Sequence, residues 1–357
     1  MTRYREIYRA NQLPIYQNRL FDSKQDARNC AKGDVVLVQD IETGLIFNRA
    51  FKSELMLYDD CYQNEQAFSM VFRKHLLEVS NIINGHFNNL SLIEVGCGKG
   101  YFLEQLRSLG YHIVGFDPAY EGSNPCVIKK YFSPEVRLRA DGVILRHVLE
   151  HVQDPVAFII NICDSNGGKG KIYIEVPCFD WICRQRAWFD IYYEHVNYFR
   201  MSDFIRMFGR IFQIGHTFGG QYLYVIADLS TVRMPKNDRS DRAEFPRDFL
   251  DTVNGYVNRI KSQKKHSIIW GGASKGVIFG LFMYCAGAGV DVVVDISPAK
   301  QGKYLPATGL RVYSPKEAVN LLSPGSDVFV MNSNYITEIK ELTNYRFNYL
   351  QVDNDII

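Results

Sequence analysis

The chain has 357 residues, of which 46% are hydrophobic and 22% charged, with a formal charge of +2. That balance describes an ordinary globular protein of two or three domains, at roughly 100–200 residues per domain. Both charge signs are interleaved, so the basic stripe expected of a nucleic-acid binder is missing.

Taken in chain order, residues 1–75 read as an irregular, mixed N-terminal domain with two short strand-like runs, DVVLVQD and GLIFNRAF. Residues 76–230 alternate strand-like and helix-like segments. LSLIEVG is a short apolar run ended by Gly, and YFLEQLRSLG sets Phe102, Leu103, Leu106 and Leu109 on one helical face before stopping at Gly110. HIVGFD, DGVILRHV and GKIYIEVP supply further strands. Strands separated by helix-length segments imply a parallel sheet with crossover helices. Residues 231–266 are polar and read as a linker and a connecting helix through FLDTVNGYVNRI; the most basic run, RIKSQKK, ends that helix in solvent. Over 267–357 the rhythm returns, with SIIWGG, VDVVVD and DVFVMN as strands and SKGVIFGLFMYCAGAG and SPKEAVNLL as helices. The fold class expected is α/β, with a second, smaller α/β domain at the C-terminus. The two halves share no repeat in detail, which reads as common architecture rather than duplication.

Eight Cys (Cys30, Cys61, Cys97, Cys126, Cys163, Cys178, Cys183 and Cys285) are scattered without a CxxC pair. They read as reduced thiols of a cytoplasmic chain, not a disulfide framework. The start, MTRYREIYRA, lacks the apolar core of a secretion signal. The longest apolar run, GVIFGLFMYCAGAGV, is shorter than the roughly 20 residues that span a bilayer and reads as a buried helix.

The sharpest motif is IEVGCGKGYF (93–102), a strand running into a Gly-rich turn that opens a helix. Gly96, Gly98 and Gly100 remove side chains where the backbone turns sharply and approaches a ligand. A dinucleotide loop looks similar. However, Glu94, just before the glycines, is poorly placed for a pyrophosphate. It suits a cationic ligand such as the ammonium and sulfonium of S-adenosylmethionine. The next strand ends at Asp117, followed by Pro118, and a carboxylate there can accept both ribose hydroxyls. Gly residues alone would make only a turn. Loop, preceding acid and strand-end Asp together resemble the class I methyltransferases, which are Rossmann-like, take S-adenosylmethionine and release S-adenosylhomocysteine.

A narrower resemblance runs from about residue 12 to about 345. LMLYDDCYQNEQAFSMVF, RHVLEHVQDP, YYEHVNYF, FGGQYLYVIA, GGASKG, KQGKYLPATGLRVYSP and MNSNYITEI are similar, in order, to segments of the nucleotide-sugar C-methyltransferases of deoxysugar biosynthesis. The last three lie in the second α/β domain. The N-terminal zinc site of that family is lost: Asp40 and Thr43 stand where Cys is expected, and Cys30 and Cys61 are isolated, so no metal is expected.

The resemblance implies a nucleoside-diphosphate sugar with a ring ketone as substrate, methylated on the adjacent carbon. That carbon must first lose a proton, so the reaction needs a base and a stabiliser for the enolate oxygen. By resemblance His195 is the base, Glu194 assists or positions it, His151 bonds the enolate oxygen and Tyr192 lines the pocket. Asn197 and His147 are implied on the substrate side, the latter where the family tends to have Asn. Tyr58 and Tyr62 are implied as a lid, Tyr62 over the donor and Tyr58 over the substrate, or as ordinary packing. GGASKG brings backbone N–H groups and Lys275 to a helix start, which could hold the diphosphate or only wall the cleft. A monomer or homodimer, with no nucleic-acid or membrane partner, is expected. Two alternatives stay open: O- or N-methylation of a sugar or small metabolite, and a non-catalytic donor-binding or scaffold protein.

Overall fold

The computed structural model describes residues 3–56 and 67–354. The expected lid residues Tyr58 and Tyr62, and Cys61, lie outside them. Strands β1 (Tyr4–Pro14), β2 (Lys32–Asp40) and β3 (Ile46–Asn48) begin an antiparallel N-terminal sheet. The eleven-residue β1 replaces the irregular stretch expected there. Its register slips twice against β2, and Gln12 turns to φ 57°, so the alternation that marks a strand is broken.

The central sheet is built from β4 (Ser91–Val95), β5 (His112–Phe116), β6 (Val127–Ile128), β7 (Gly142–Arg146) and β8 (Lys171–Pro177). The two-residue β9 (Asn197–Tyr198) leaves it for the N-terminal sheet, before β10 (Ile211–Thr217) and β11 (Tyr222–Asp228) return. Its order is β10-β11-β8-β7-β4-β5-β6; β10 and β11 are antiparallel to their neighbours and the rest are parallel. The C-terminal sheet, β14-β13-β12-β15-β16, is wholly parallel. Its strands are β12 (Ser267–Trp270), β13 (Val292–Val294), β14 (Val312–Tyr313), β15 (Asp327–Val330) and β16 (Asn348–Gln351).

Three expectations need correction. Helix Met70–Phe87 crosses the boundary placed at residue 75. Helix Tyr101–Ser108 buries Phe102, Leu103 and Leu106, but Leu109 caps it and stays exposed. The polar stretch after 230 is a fastened strap: Ala243 and Phe249 are buried, Phe245 stacks on Phe179, and Asp241 pairs with Arg200 at 3.1 Å.

One continuous apolar core runs from Leu13 and Val35 through Val143 and Trp188 to Phe279 and Phe329, joining all three sheets. Trp188 stacks on Phe279 of helix Ser274–Cys285 at 5.7 Å and 16°. An aromatic pair adds about 0.5–1.5 kcal/mol beyond burial, so this contact seats the C-terminal domain. Polar ties reinforce it. Asn332 Nδ2 donates to Gln221 Oε1 at 2.7 Å, and Glu338 accepts from Ser69 Oγ at 2.5 Å and Met70 N–H at 2.8 Å, capping a helix of the neighbouring domain.

Candidate active site

The turn after β4 wraps tightly. Gly96 has φ 73°, and a Cβ there would lie 2.4 Å from Val148 Cγ2, so only Gly fits. Gly96 N–H donates to the Phe116 carbonyl at 2.7 Å, and Asp117 accepts from Gly98 N–H and Ala119 N–H, both at 2.8 Å. Asp117 therefore pins the loop. Neither it nor Pro118 is among the residues lining the main cavity. Glu94 does line it. The side chain is fully buried, its Oε2 has no hydrogen-bond partner, and burial pushes its pKa up to about 8 against the pull of Arg146.

The C-terminal domain repeats this wiring. Gly271 N–H donates to the Val294 carbonyl at 2.8 Å, and Asp295 accepts from Gly272 N–H and Ser297 N–H at 2.8 Å each. The strand neighbours match as well: β16-β15-β12-β13-β14 mirrors β8-β7-β4-β5-β6. The common architecture expected of the two halves thus extends to the wiring of their loops. Sequence identity hides it, because the acid of the first cradle is Ile269 in the second. At the second cradle, the buried Lys300 lies 3.4 Å from Asp295 Oδ2. Both cradles open onto one cavity of about 380 Å³, lined among others by Glu94, Gly98, His147, Tyr192, His195, Asp295 and Lys300. That is within the size range of small-ligand sites.

Between the sheets runs the segment carrying His195. Val196 N–H donates to the Glu150 carbonyl at 2.7 Å, and β9 extends the N-terminal sheet through β3. His195 is buried, with its Nε2 2.9 Å from the Tyr192 hydroxyl. Burial first, then the neighbouring His151, His147 and Lys275, hold its pKa well below the usual histidine value, so the ring is neutral. His151 sits beside it, ring centroids 5.0 Å apart, and donates from Nδ1 to the Glu194 carbonyl at 2.8 Å.

Two residues implied beside the base behave differently. The Glu194 carboxylate accepts from the N–H groups of Gln17 and Asn18 (3.1 Å for Asn18), so it anchors the chain after β1. Asn197 is buried outside the main cavity and donates to the Leu149 (3.4 Å) and Val152 carbonyls, bracing the turn that holds His151. Neither is among the residues lining the main cavity.

His147 holds a strained φ of 52° at the end of β7. Burial alone would lower its pKa, but Glu150 (3.4 Å) and Glu175 (3.1 Å) outweigh this and raise it to about 9, so the ring is charged at neutral pH. Glu175 is the hub: Arg146 Nη2 at 2.8 Å and the Tyr173 hydroxyl at 2.9 Å donate to it. Despite its burial, Arg146, His147 and His75 hold it well below the usual carboxylate range. Lys275 reaches the cavity but already faces Asp190 at 3.1 Å, off-axis for a hydrogen bond, and lies over the Trp181 ring. Sequence reasoning missed Arg146, Glu150, Glu175, Asp190 and Asp295. Of these, only Asp295 carried a readable signal, an acid closing VDVVVD as Asp117 closes HIVGFD.

The cluster Glu150, His151 and His195 is the one group among the described residues with metal-ligand spacing. No helix among them is long and apolar enough to cross a membrane.

Residues 65–211 match the methyltransferase domain family, and residues 244–347 match the C-methyltransferase C-terminal domain family. A human relative, the mitochondrial ubiquinone biosynthesis O-methyltransferase, is 27% identical over 103 residues, which are 24% of this chain and 28% of that protein. Among solved structures, an S-adenosylmethionine-dependent methyltransferase from Mesorhizobium loti superposes with a TM-score of 0.35 at 11% identity, covering 44% of this chain and 99% of its own. One from Archaeoglobus fulgidus gives 0.31 at 17% identity, covering 45% and 100%. The chain therefore carries a class I methyltransferase domain joined to a C-methyltransferase C-terminal domain.

Proposed function

We propose that the protein is an S-adenosylmethionine-dependent C-methyltransferase acting on a nucleoside-diphosphate keto-deoxysugar. One observation carries this reading: two cradles of the same wiring, one with an acid and the other with a lysine, open onto one cavity that Tyr192, His195 and His151 also line. The first cradle fits the donor, because the partnerless Oε2 of the buried Glu94 suits a cationic group. When bound, S-adenosylmethionine supplies an electrophilic methyl group on a sulfonium. At the second cradle, the N–H groups opening helix Ser274–Cys285 and the Lys300 ammonium suit a diphosphate. Lys275, shared with Asp190, serves mainly to lock the domains.

The neutral His195 takes the proton from the carbon beside the ketone, with the Tyr192 hydroxyl steadying its ring. His151 lies on the side of the enolate oxygen, and the charged His147 adds to the positive field there. The enolate carbon then takes the methyl group, leaving His195 protonated. Glu194 and Asn197 are positioning residues. In the N-terminal domain the Asp40 carboxylate accepts from Glu42 N–H at 2.7 Å and pairs with Arg3 at 3.0 Å, organising by hydrogen bonds a turn that the family builds around zinc.

O-methylation, the activity in the human relative's name, is the second reading. Product NMR after incubation with a panel of keto-sugar nucleotides separates the two. The new methyl is expected on carbon, and a methyl on oxygen would overturn the enolate chemistry.

A further inference from the structure

Glu150, His151 and His195 each offer one ligand atom, and the three lie within 4.8 Å of one another at the cavity wall. We propose that they form a binding site for a borderline divalent cation of the zinc type, and that its occupancy excludes catalysis. Three observations support the site. First, the Glu150 side chain is buried and its Oε2 has no hydrogen-bond partner, so a carboxyl oxygen is available at the cluster. Second, His151 donates from Nδ1 to the Glu194 carbonyl, the outer contact that orients ligating imidazoles. Third, two imidazoles and one carboxylate are the donor set that zinc, cobalt and iron prefer, with coordination positions left towards the cavity.

The charged side chains facing the cluster are balanced rather than uniformly repelling. His147 and Lys275 are positive, while Asp190 and Glu175 pair with them. Exclusion follows from the chemistry and rests on the proposed function. A cation on His195 takes the lone pair that would accept the substrate proton. A cation on His151 takes that imidazole away from the enolate oxygen.

Cobalt titration of the full-length protein tests this. The wild type should take up one equivalent with a visible ligand-field spectrum and no thiolate charge-transfer band, which sets the site apart from the cysteines. Binding should be lost in His195→Ala and His151→Ala, and weakened at least about tenfold in Glu150→Gln, the lower end of the cost of losing a ligand's contact. Unchanged circular dichroism would show that the variants fold; His151 is only half-buried, so its variant guards against a folding failure at the other two. Methyl transfer should fall along the same cobalt curve and recover on chelation. No cobalt spectrum in wild type, or one unchanged in all three variants, would overturn the site. Cobalt bound as expected with turnover intact would instead overturn the exclusion and the assignment of His195 as the base.

Discussion

The two cradles differ less in backbone than in charge. In each, a Gly N–H reaches the carbonyl before a strand-end Asp, and that Asp takes two backbone N–H groups at 2.8 Å. At the first, the strand before the loop presents Glu94, buried and partnerless. At the second, the same strand position is Ile269, and Lys300 lies beside the Asp. Under the proposed function, one frame faces the cationic donor and its copy the anionic sugar nucleotide, across the cavity between them. The lesson is that the strand–loop–helix frame provides N–H groups and a strand-end carboxylate, while one or two side chains choose the ligand.

The largest break leaves both cradles intact. His195→Ala should cut turnover by about 10²–10⁴, the usual worth of a general base, while calorimetry finds donor and nucleoside-diphosphate affinities near wild type. Loss of either affinity would place His195 in ligand binding instead. Next comes a paired test of the frames themselves. Asp117→Ala should weaken donor binding about ten- to a hundredfold, since hydrogen bonds to charged groups are worth about 1.5–3 kcal/mol. Asp295→Ala should do the same to the nucleoside diphosphate, with each ligand indifferent to the other's variant. If both variants weakened both ligands, the cradles would be one site, not two.

The smallest effect sharpens the charge difference. Glu94 has its pKa raised to about 8 by burial in the donor-free protein, against an ordinary value of 4.5. The folded state therefore holds a proton that the unfolded chain releases, and stability is lost as pH rises from the ordinary value through about 8. Glu94→Gln, which cannot ionise, should melt above wild type, by a margin that grows across that window and then levels. Donor affinity should rise towards pH 8 in wild type and lie lower and flat in the variant. A wild-type affinity independent of pH would mean that Glu94 does not meet the donor's charge.

Much of the first cradle was legible because it is local: Glu94, three Gly and Asp117 sit within one strand–turn–helix–strand unit. The strands and helices of both α/β domains were legible for the same reason, since burial on both sheet faces writes short apolar runs. What sequence hid depends on distance. Asp295 is 178 positions from Asp117 (295 − 117), and only the fold sets them in equivalent frames. Glu194 and Asn197 stand beside His195 in sequence, yet the backbone sends their side chains to Gln17 and Asn18 and to the turn at Leu149 and Val152. The ion-pair hub at Glu175 joins β7, β8 and helix Met70–Phe87, which no local pattern records.

Deprotonation before methyl transfer is the central claim, and solvent exchange tests it most directly. Wild-type protein would be incubated in heavy water with a 4-keto sugar nucleotide and S-adenosylhomocysteine, so that no methyl group is available. The predicted result is deuterium at the carbon beside the ketone, and none with His195→Ala. Absence of exchange in a wild-type protein that places its methyl group on oxygen would contradict it.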